Sequence, residues 1–180
     1  MFKYKLDSDT YLMLLDLHHA DEIFYSINRN REYLGEYLPW VDGTIGIEDS
    51  LAFIQMSKEK YFKGEGFDAG IWHKGEFAGT LGFHNMKKFV KEVSIGYWLA
   101  ERFTGMGLMT KACRAMIDYA FDIYGVNRVE IRCAKSNEKS RAIPNRLGFI
   151  QEGIIREGEL LSHGREDLII YGLLRREWKG

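Results

Sequence analysis

The sequence predicts an α/β protein with a mixed, mostly antiparallel central sheet and helices on both of its faces. Three observations predict it. Glu92–Leu99 alternates in character, so Val93, Ile95, Tyr97 and Leu99 share one strand face. Residues 108–123 carry Leu108, Ala112, Ala115, Met116, Tyr119 and Ile123 at helical spacing, with Lys111, Arg114, Asp118 and Asp122 on the opposite side. Around this pair run short alternating segments, separated by turn residues, without internal repeat or linker.

Residues 11–15 read as a first strand and 16–30 as a helix with Ile23, Phe24 and Ile27 on its apolar side. His18 and His19 are adjacent and point to different sides; with no HExxH pattern they read as surface or helix-start residues, not metal ligands. Residues 31–42 are unusually aromatic, with Tyr33, Tyr37 and Trp40 among Leu34, Leu38 and Pro39. Such a cluster serves either as core or as one wall of a substrate cleft. Residues 48–62 read as the next helix, with Glu48 and Asp49 in its first turn, where negative charge is favourable. Residues 67–72 and 77–83, joined by a turn at Lys74-Gly75-Glu76, read as a β-hairpin, and 87–91 as a charged turn.

After the long helix, Arg128–Ala134 alternates, with Val129, Ile131 and Cys133 on one face. Ser140 fits the N-cap of a short helix ending at Gly148, with Pro144 in its first turns, where a missing N–H costs least. Residues 149–155 and 167–174 read as two closing strands, with Ser162-His163-Gly164-Arg165 as the turn between them.

At 180 residues the chain is expected to form one domain, 1–180, burying about 70% of the unfolded surface. A net charge of −1 gives no reason to expect nucleic-acid binding, which usually shows a clustered basic surface. The two cysteines, Cys113 and Cys133, form no CxxC, so neither a metal site nor a redox pair is expected, and a reducing, cytoplasmic setting fits. The N-terminal residues lack an apolar signal core and no stretch reaches membrane-spanning length, so no membrane partner is expected.

Between the central strand and the long helix lies Arg102-Phe103-Thr104-Gly105-Met106-Gly107. A loop turning from a strand into a helix N-terminus presents unpaired backbone N–H groups, and the helix dipole favours anions there. Gly105 and Gly107 let a phosphate approach the backbone closely, and Arg102 adds a cation. A phosphate-bearing ligand is the local expectation, although two glycines also suit an ordinary tight turn. No GK[ST] follows the loop, which sets it apart from nucleotide-binding P-loops.

The wider pattern, R/Q-x-x-G-x-G/A between a strand and a long helix, resembles the acetyl-coenzyme A loop of the GNAT superfamily of N-acetyltransferases. The resemblance extends over nearly the whole chain to the RimJ/RimL type. It is carried by residues 31–42 ending Leu-Pro-Trp, by Ile95-Gly96-Tyr97-Trp98-Leu99, by the glycine loop, and by Asn137-x-x-Ser140 followed by Leu147-Gly148-Phe149. Glu152-Gly153, Asp167 and Tyr171 also fit.

The resemblance implies acetyl-CoA as co-substrate. The backbone of Phe103, Thr104, Gly105, Met106, Gly107 and Leu108 would bind its pyrophosphate, with Arg102 alongside. The pantetheine arm would run beside Trp98 and Leu99, and Asn137 would hydrogen-bond it or brace its own turn. Glu159 matches a proposed base and Ser140 a proposed acid. Tyr37, Trp40 and Glu157 would line the amine's cleft. Many superfamily members carry a tyrosine acid four residues before the Gly of Leu-Gly-Phe; here that position is Pro144.

The implied acceptor is a protein N-terminal α-amine, as on a ribosomal protein, attacking the thioester directly. An α-amine titrates near ~8 against ~10.4 for lysine, so it asks less of a base. Glu32, Glu36, Asp42, Glu157 and Glu159 suit a basic partner. The alternatives are a small amine such as a polyamine or antibiotic, or a non-catalytic coenzyme A-binding module. A covalent route through Cys133 competes with a structural role for that thiol. A homodimer through the C-terminal strands or the aromatic N-terminal region is a further expectation.

Overall fold

The computed structural model describes residues 3–180; Met1 and Phe2, which open the expected 1–180 span and the N-terminal stretch read for a signal core, lie outside the described residues. Within it one sheet runs β1-β2-β3-β4-β5-β6-β8-β7. Its strands are β1 (Lys3–Lys5), β2 (Thr10–Leu14), β3 (Asp68–His73), β4 (Glu76–Lys87), β5 (Glu92–Leu99), β6 (Arg128–Ala134), β7 (Ile150–Leu161) and β8 (Gly164–Leu174). β5 and β6 are parallel and every other neighbouring pair is antiparallel, the mixed sheet that the sequence predicts.

The helices divide between the two faces. α4 (Leu108–Asp122) and α5 (Glu138–Arg146) contribute Leu108, Ala112, Met116 and Ile143 to a core with Leu81, Phe83, Val93, Ile95 and Ile131. α1 (Ala20–Arg29), α2 (Arg31–Gly35) and α3 (Ile47–Lys63) contribute Ile23, Ile27, Leu34 and Ile54 to a second core with Trp72, Phe77 and Trp98. Period-two alternation along β5 therefore sends Val93 and Ile95 into one core and Trp98 into the other.

Several elements differ from the sequence reading. The expected 16–30 helix opens as a 3-10 turn, Leu17–His19. The Asp16 carboxylate accepts the Leu17 N–H at 2.7 Å, and the Asp16 N–H donates to His19 Nδ1 at 3.0 Å. His19 is a helix-start residue but not a surface one: it is buried, its ring 4.8 Å from that of Trp72. The long helix ends at Asp122, and Ile123 is exposed, because the chain turns away through Gly125 at φ 62°. β7 and β8 are longer than expected. Their outer residues pair as a largely exposed hairpin, with a register break between Ile155 and Glu159.

The 31–42 cluster is core in part. Leu34 and Val41 are buried, while Trp40 is exposed and Tyr37 half-buried. Arg31 holds the following turn, donating to Val41 O and Thr44 O at 2.6 Å each.

Candidate active site

The loop after β5 folds as expected. Phe103 and Leu108 are buried and anchor it at either end, and Met106 is exposed. Gly105 and Gly107 sit at φ 76° and 74°, the left-handed region where an L side chain is strained. Gly107 is the N-cap of α4 and has no side chain to cap it. The N–H groups of residues 105–110 have no acceptor among the described residues. The loop thus concentrates donors at the positive end of a four-turn helix, about half a unit charge. Arg102 pairs with Glu76 at 2.6 Å and lies over the Phe103 ring, so its charge already has a partner beside the loop. Arg146, from α5, reaches the same helix end and meets Thr110 Oγ1 at 3.4 Å.

Beside the loop the sheet opens. β5 and β6 pair only at Glu92↔Arg128, Val93↔Val129 and Ser94↔Glu130. Beyond that β5 stays with β4 as far as Leu99↔Gly79, and β6 with β8 as far as Ala134↔Leu168. The facing edges of residues 95–99 and 131–134 are therefore free to pair with something extended. Trp98 turns its side chain into the α1–α3 core, within 5.8 Å of the Phe77 ring, so only its backbone lines this opening.

α5 closes the far side. Its N-cap is Asn137, not Ser140: Asn137 Oδ1 accepts the Ser140 N–H at 3.0 Å. Pro144 lies late in the helix, not in its first turns. Ser140 is freed from capping, and its hydroxyl lies 3.2 Å from Cys133 Sγ and 3.3 Å from the Tyr97 hydroxyl oxygen. Burial pushes the Cys133 thiol and the Tyr97 phenol above their ordinary ranges, so both stay protonated.

The remaining predicted residues lie toward the β7–β8 hairpin. Glu157 is exposed at φ 51° in the β7 bulge, and its N–H donates to Asp167 Oδ1 at 3.0 Å. Glu159 lies within β7, half-buried, not beyond a strand end as the sequence reading had it, and stands opposite Glu166 in register. Glu166 accepts from Ser136 N–H at 3.0 Å and meets His163 Nε2 at 3.3 Å. Burial works to raise the pKa of Glu166, but these partners hold it below the usual range. Tyr37 packs edge-on against His163, centroids 6.1 Å apart, joining the α2 region to the hairpin. Trp40 stands 6.2 Å from Trp98. Among the described residues no hydrogen bond joins Glu159 to Ser140.

Two groupings emerge: a donor-rich loop at a helix end, and the Tyr97–Ser140–Cys133 cluster flanking an open strand edge. Tyr97, Glu166 and Arg146 are additions that sequence reasoning missed. Only Tyr97 had a signal, a hydroxyl among the apolar residues of the central strand.

A mixed sheet that opens between two parallel strands, above a glycine-capped helix end, defines a protein shaped for an extended ligand with an anionic tail. The chain belongs to the GNAT acetyltransferase family: residues 10–150 match the acetyltransferase (GNAT) domain. It is an N-acetyltransferase. It is 35% identical over 181 residues to a Bacillus subtilis (strain 168) protein named "Putative ribosomal N-acetyltransferase YdaF", spanning 100% of this chain and 99% of that one. It is 27% identical over 162 residues to the ribosomal-protein-serine acetyltransferase of Escherichia coli (strain K12), spanning 87% and 90%. The crystal structure of the microcin C7 self immunity acetyltransferase MccE, in complex with acetyl-CoA and AMP, matches with TM-score 0.89 at 30% identity over 94% of each chain.

Proposed function

We propose that this chain transfers the acetyl group of acetyl-CoA to a protein N-terminal α-amine, as on a ribosomal protein, by direct attack on the thioester. The observation that carries the reading is the unpaired edge of residues 95–99 leading to the acceptor-less amides of residues 105–110. A pantetheine arm would pair along this edge as an added strand, with its pyrophosphate on the backbone from Phe103 to Leu108. Asn137 has its Oδ1 engaged, leaving its amide NH₂ to meet the arm. A backbone N–H of β5 would serve the oxyanion, a contribution typically worth ~3 kcal/mol in the transition state.

Glu159 is the proposed base, acting directly or through water. Ser140 is the proposed donor to the leaving thiolate, and Tyr37, Trp40 and Glu157 the proposed amine-side wall. Cys133, 3% exposed, is read as structural. The names of the two bacterial relatives support a ribosomal-protein acceptor. β7 and β8 extend past residue 150 yet complete the same sheet, which supports one acetyltransferase domain over 1–180. β7 is an edge strand with Ile150, Ile154 and Leu160 exposed, which supports a homodimer through it. Two unpaired cysteines, both buried, suit the cytoplasm.

A second reading, a small-molecule amine acceptor, is favoured by the likeness to the microcin self immunity enzyme and by exposed Trp40 beside Trp98. Thiol release from acetyl-CoA, measured with N-terminal Ser and Ala peptides and with polyamines and aminoglycosides, separates the readings. Turnover on peptides alone supports the first. Turnover on small amines alone replaces it with the second.

A further inference from the structure

α5 lacks one of its rungs. Pro144 has no N–H, so the carbonyl of Ser140, four residues earlier, cannot receive the helical hydrogen bond due to it. Tyr97 supplies the donor instead. From β5, across the opening, its O–H donates to Ser140 O at 3.0 Å. A phenol has one proton, so with that proton committed its oxygen meets the Ser140 hydroxyl as an acceptor, at 3.3 Å. Cys133 Sγ, at 3.2 Å, is the other neighbour. The oxygen contact is long for an O–H···O bond and a thiol sulfur is a weak acceptor, so the Ser140 hydroxyl is held in place between neutral groups without being tied to a strong acceptor.

Resting on the acetyltransferase reading, we propose that Tyr97 is a positioning residue for the departure of the thiolate. Its hydroxyl fixes the proline-opened turn of α5 and sets the direction in which Ser140 presents its O–H. When the tetrahedral intermediate collapses, the C–S bond breaks and its electron pair goes to sulfur. The thiolate, being charged, outcompetes Tyr97 and Cys133 as an acceptor for the Ser140 O–H. Sulfur gains one proton, the attacking amine loses one, and the serine, which passes its proton on and takes one back from solvent, is unchanged.

The test separates bracing from positioning. Tyr97→Phe keeps the ring and removes the hydroxyl. It is expected to lower kcat about tenfold with KM for acetyl-CoA within about twofold, the size of one lost hydrogen bond. Pro144→Ala returns an N–H to the Ser140 carbonyl. Added to Tyr97→Phe it should restore Tm but not kcat. In a Ser140→Ala background, Tyr97→Phe should cost no further kcat, because it acts through that serine.

Recovery of kcat in the Tyr97→Phe/Pro144→Ala pair would reduce Tyr97 to a brace and overturn the proposal. So would an undiminished loss in the Ser140→Ala background, or full kcat in Tyr97→Phe. If Tyr97→Phe alone does not fold, kcat of Tyr97→Phe/Pro144→Ala is compared with that of Pro144→Ala. A tenfold deficit in the pair then supports positioning, and equal kcat overturns it. A wild type that transfers acetyl to no amine would remove the acetyl-transfer reading itself, and this inference with it.

Discussion

Arg128 Nε and Glu92 Oε2 lie 2.9 Å apart across the end at which β5 and β6 are paired. The same guanidinium reaches Glu130 at 2.8 Å and Glu152 at 2.7 Å. Gly172 makes room for it, since a Cβ there would collide with both Arg128 and Glu152. The opening between β5 and β6 thus starts from this ion-paired end, its hinge.

Arg128→Met keeps the stem and removes the fan of donors. It leaves Glu92 without its β6 partner and leaves largely buried Glu130 with Arg132 alone. Breaking a fully buried pair costs about 3–5 kcal/mol, and partial exposure here lowers the expected loss to about 2 kcal/mol. Urea unfolding should show a lower midpoint, and acetyl-CoA affinity should fall as the hinge loosens. An unchanged midpoint would contradict the hinge.

The same hinge predicts an acid dependence. Burial works to raise the pKa of Glu92, but Lys87 and Arg128 outweigh it and hold the carboxyl below its usual range. A carboxyl whose folded pKa lies below its unfolded value stabilises fully above the unfolded pKa, about 4.3, and loses that stabilisation as pH falls through the folded value. The stability gap between wild type and Arg128→Met should therefore be constant from pH 7 to about 5 and narrow below that. A gap independent of pH down to 3 would show that Glu92 carries none of it.

Glu159→Gln should lower kcat about a hundredfold at pH 7 while acetyl-CoA affinity stays within about twofold, the ordinary size of a lost general base. The deficit should shrink above pH ~8, where an α-amine is already neutral. Unchanged turnover at pH 7 would take Glu159 out of the mechanism and leave the proton to water.

The strand, loop and helix from Glu92 to Asp122 were legible because each rests on a local signal: period two, paired glycines, then period 3.6. The cap at His19 was not legible, because it depends on Trp72 covering the ring. Nor was the full length of β7, whose residues 156–159 show no apolar alternation and gain their strand geometry from pairing with β8. Pro144 is an intermediate case. A proline inside a helix announces a carbonyl four residues back in need of a donor. That the donor comes from Tyr97 is a tertiary fact, and misplacing Pro144 in the first turn hid the question. The candidate base is less legible still, because Glu159 relates to Glu166 only through the hairpin register.

The most direct measurement is titration calorimetry with acetyl-CoA on wild type and on a variant carrying Gly105→Ala and Gly107→Ala. A Cβ at either position meets open space, so the fold should survive, but the left-handed backbone costs an L residue about 1–2 kcal/mol and the loop will rearrange. One-to-one micromolar binding by wild type, weakened at least tenfold in a variant with unchanged circular dichroism, is the predicted result. Wild type that does not bind acetyl-CoA, or a variant that binds it equally well, would contradict the assignment of this loop as the cofactor site.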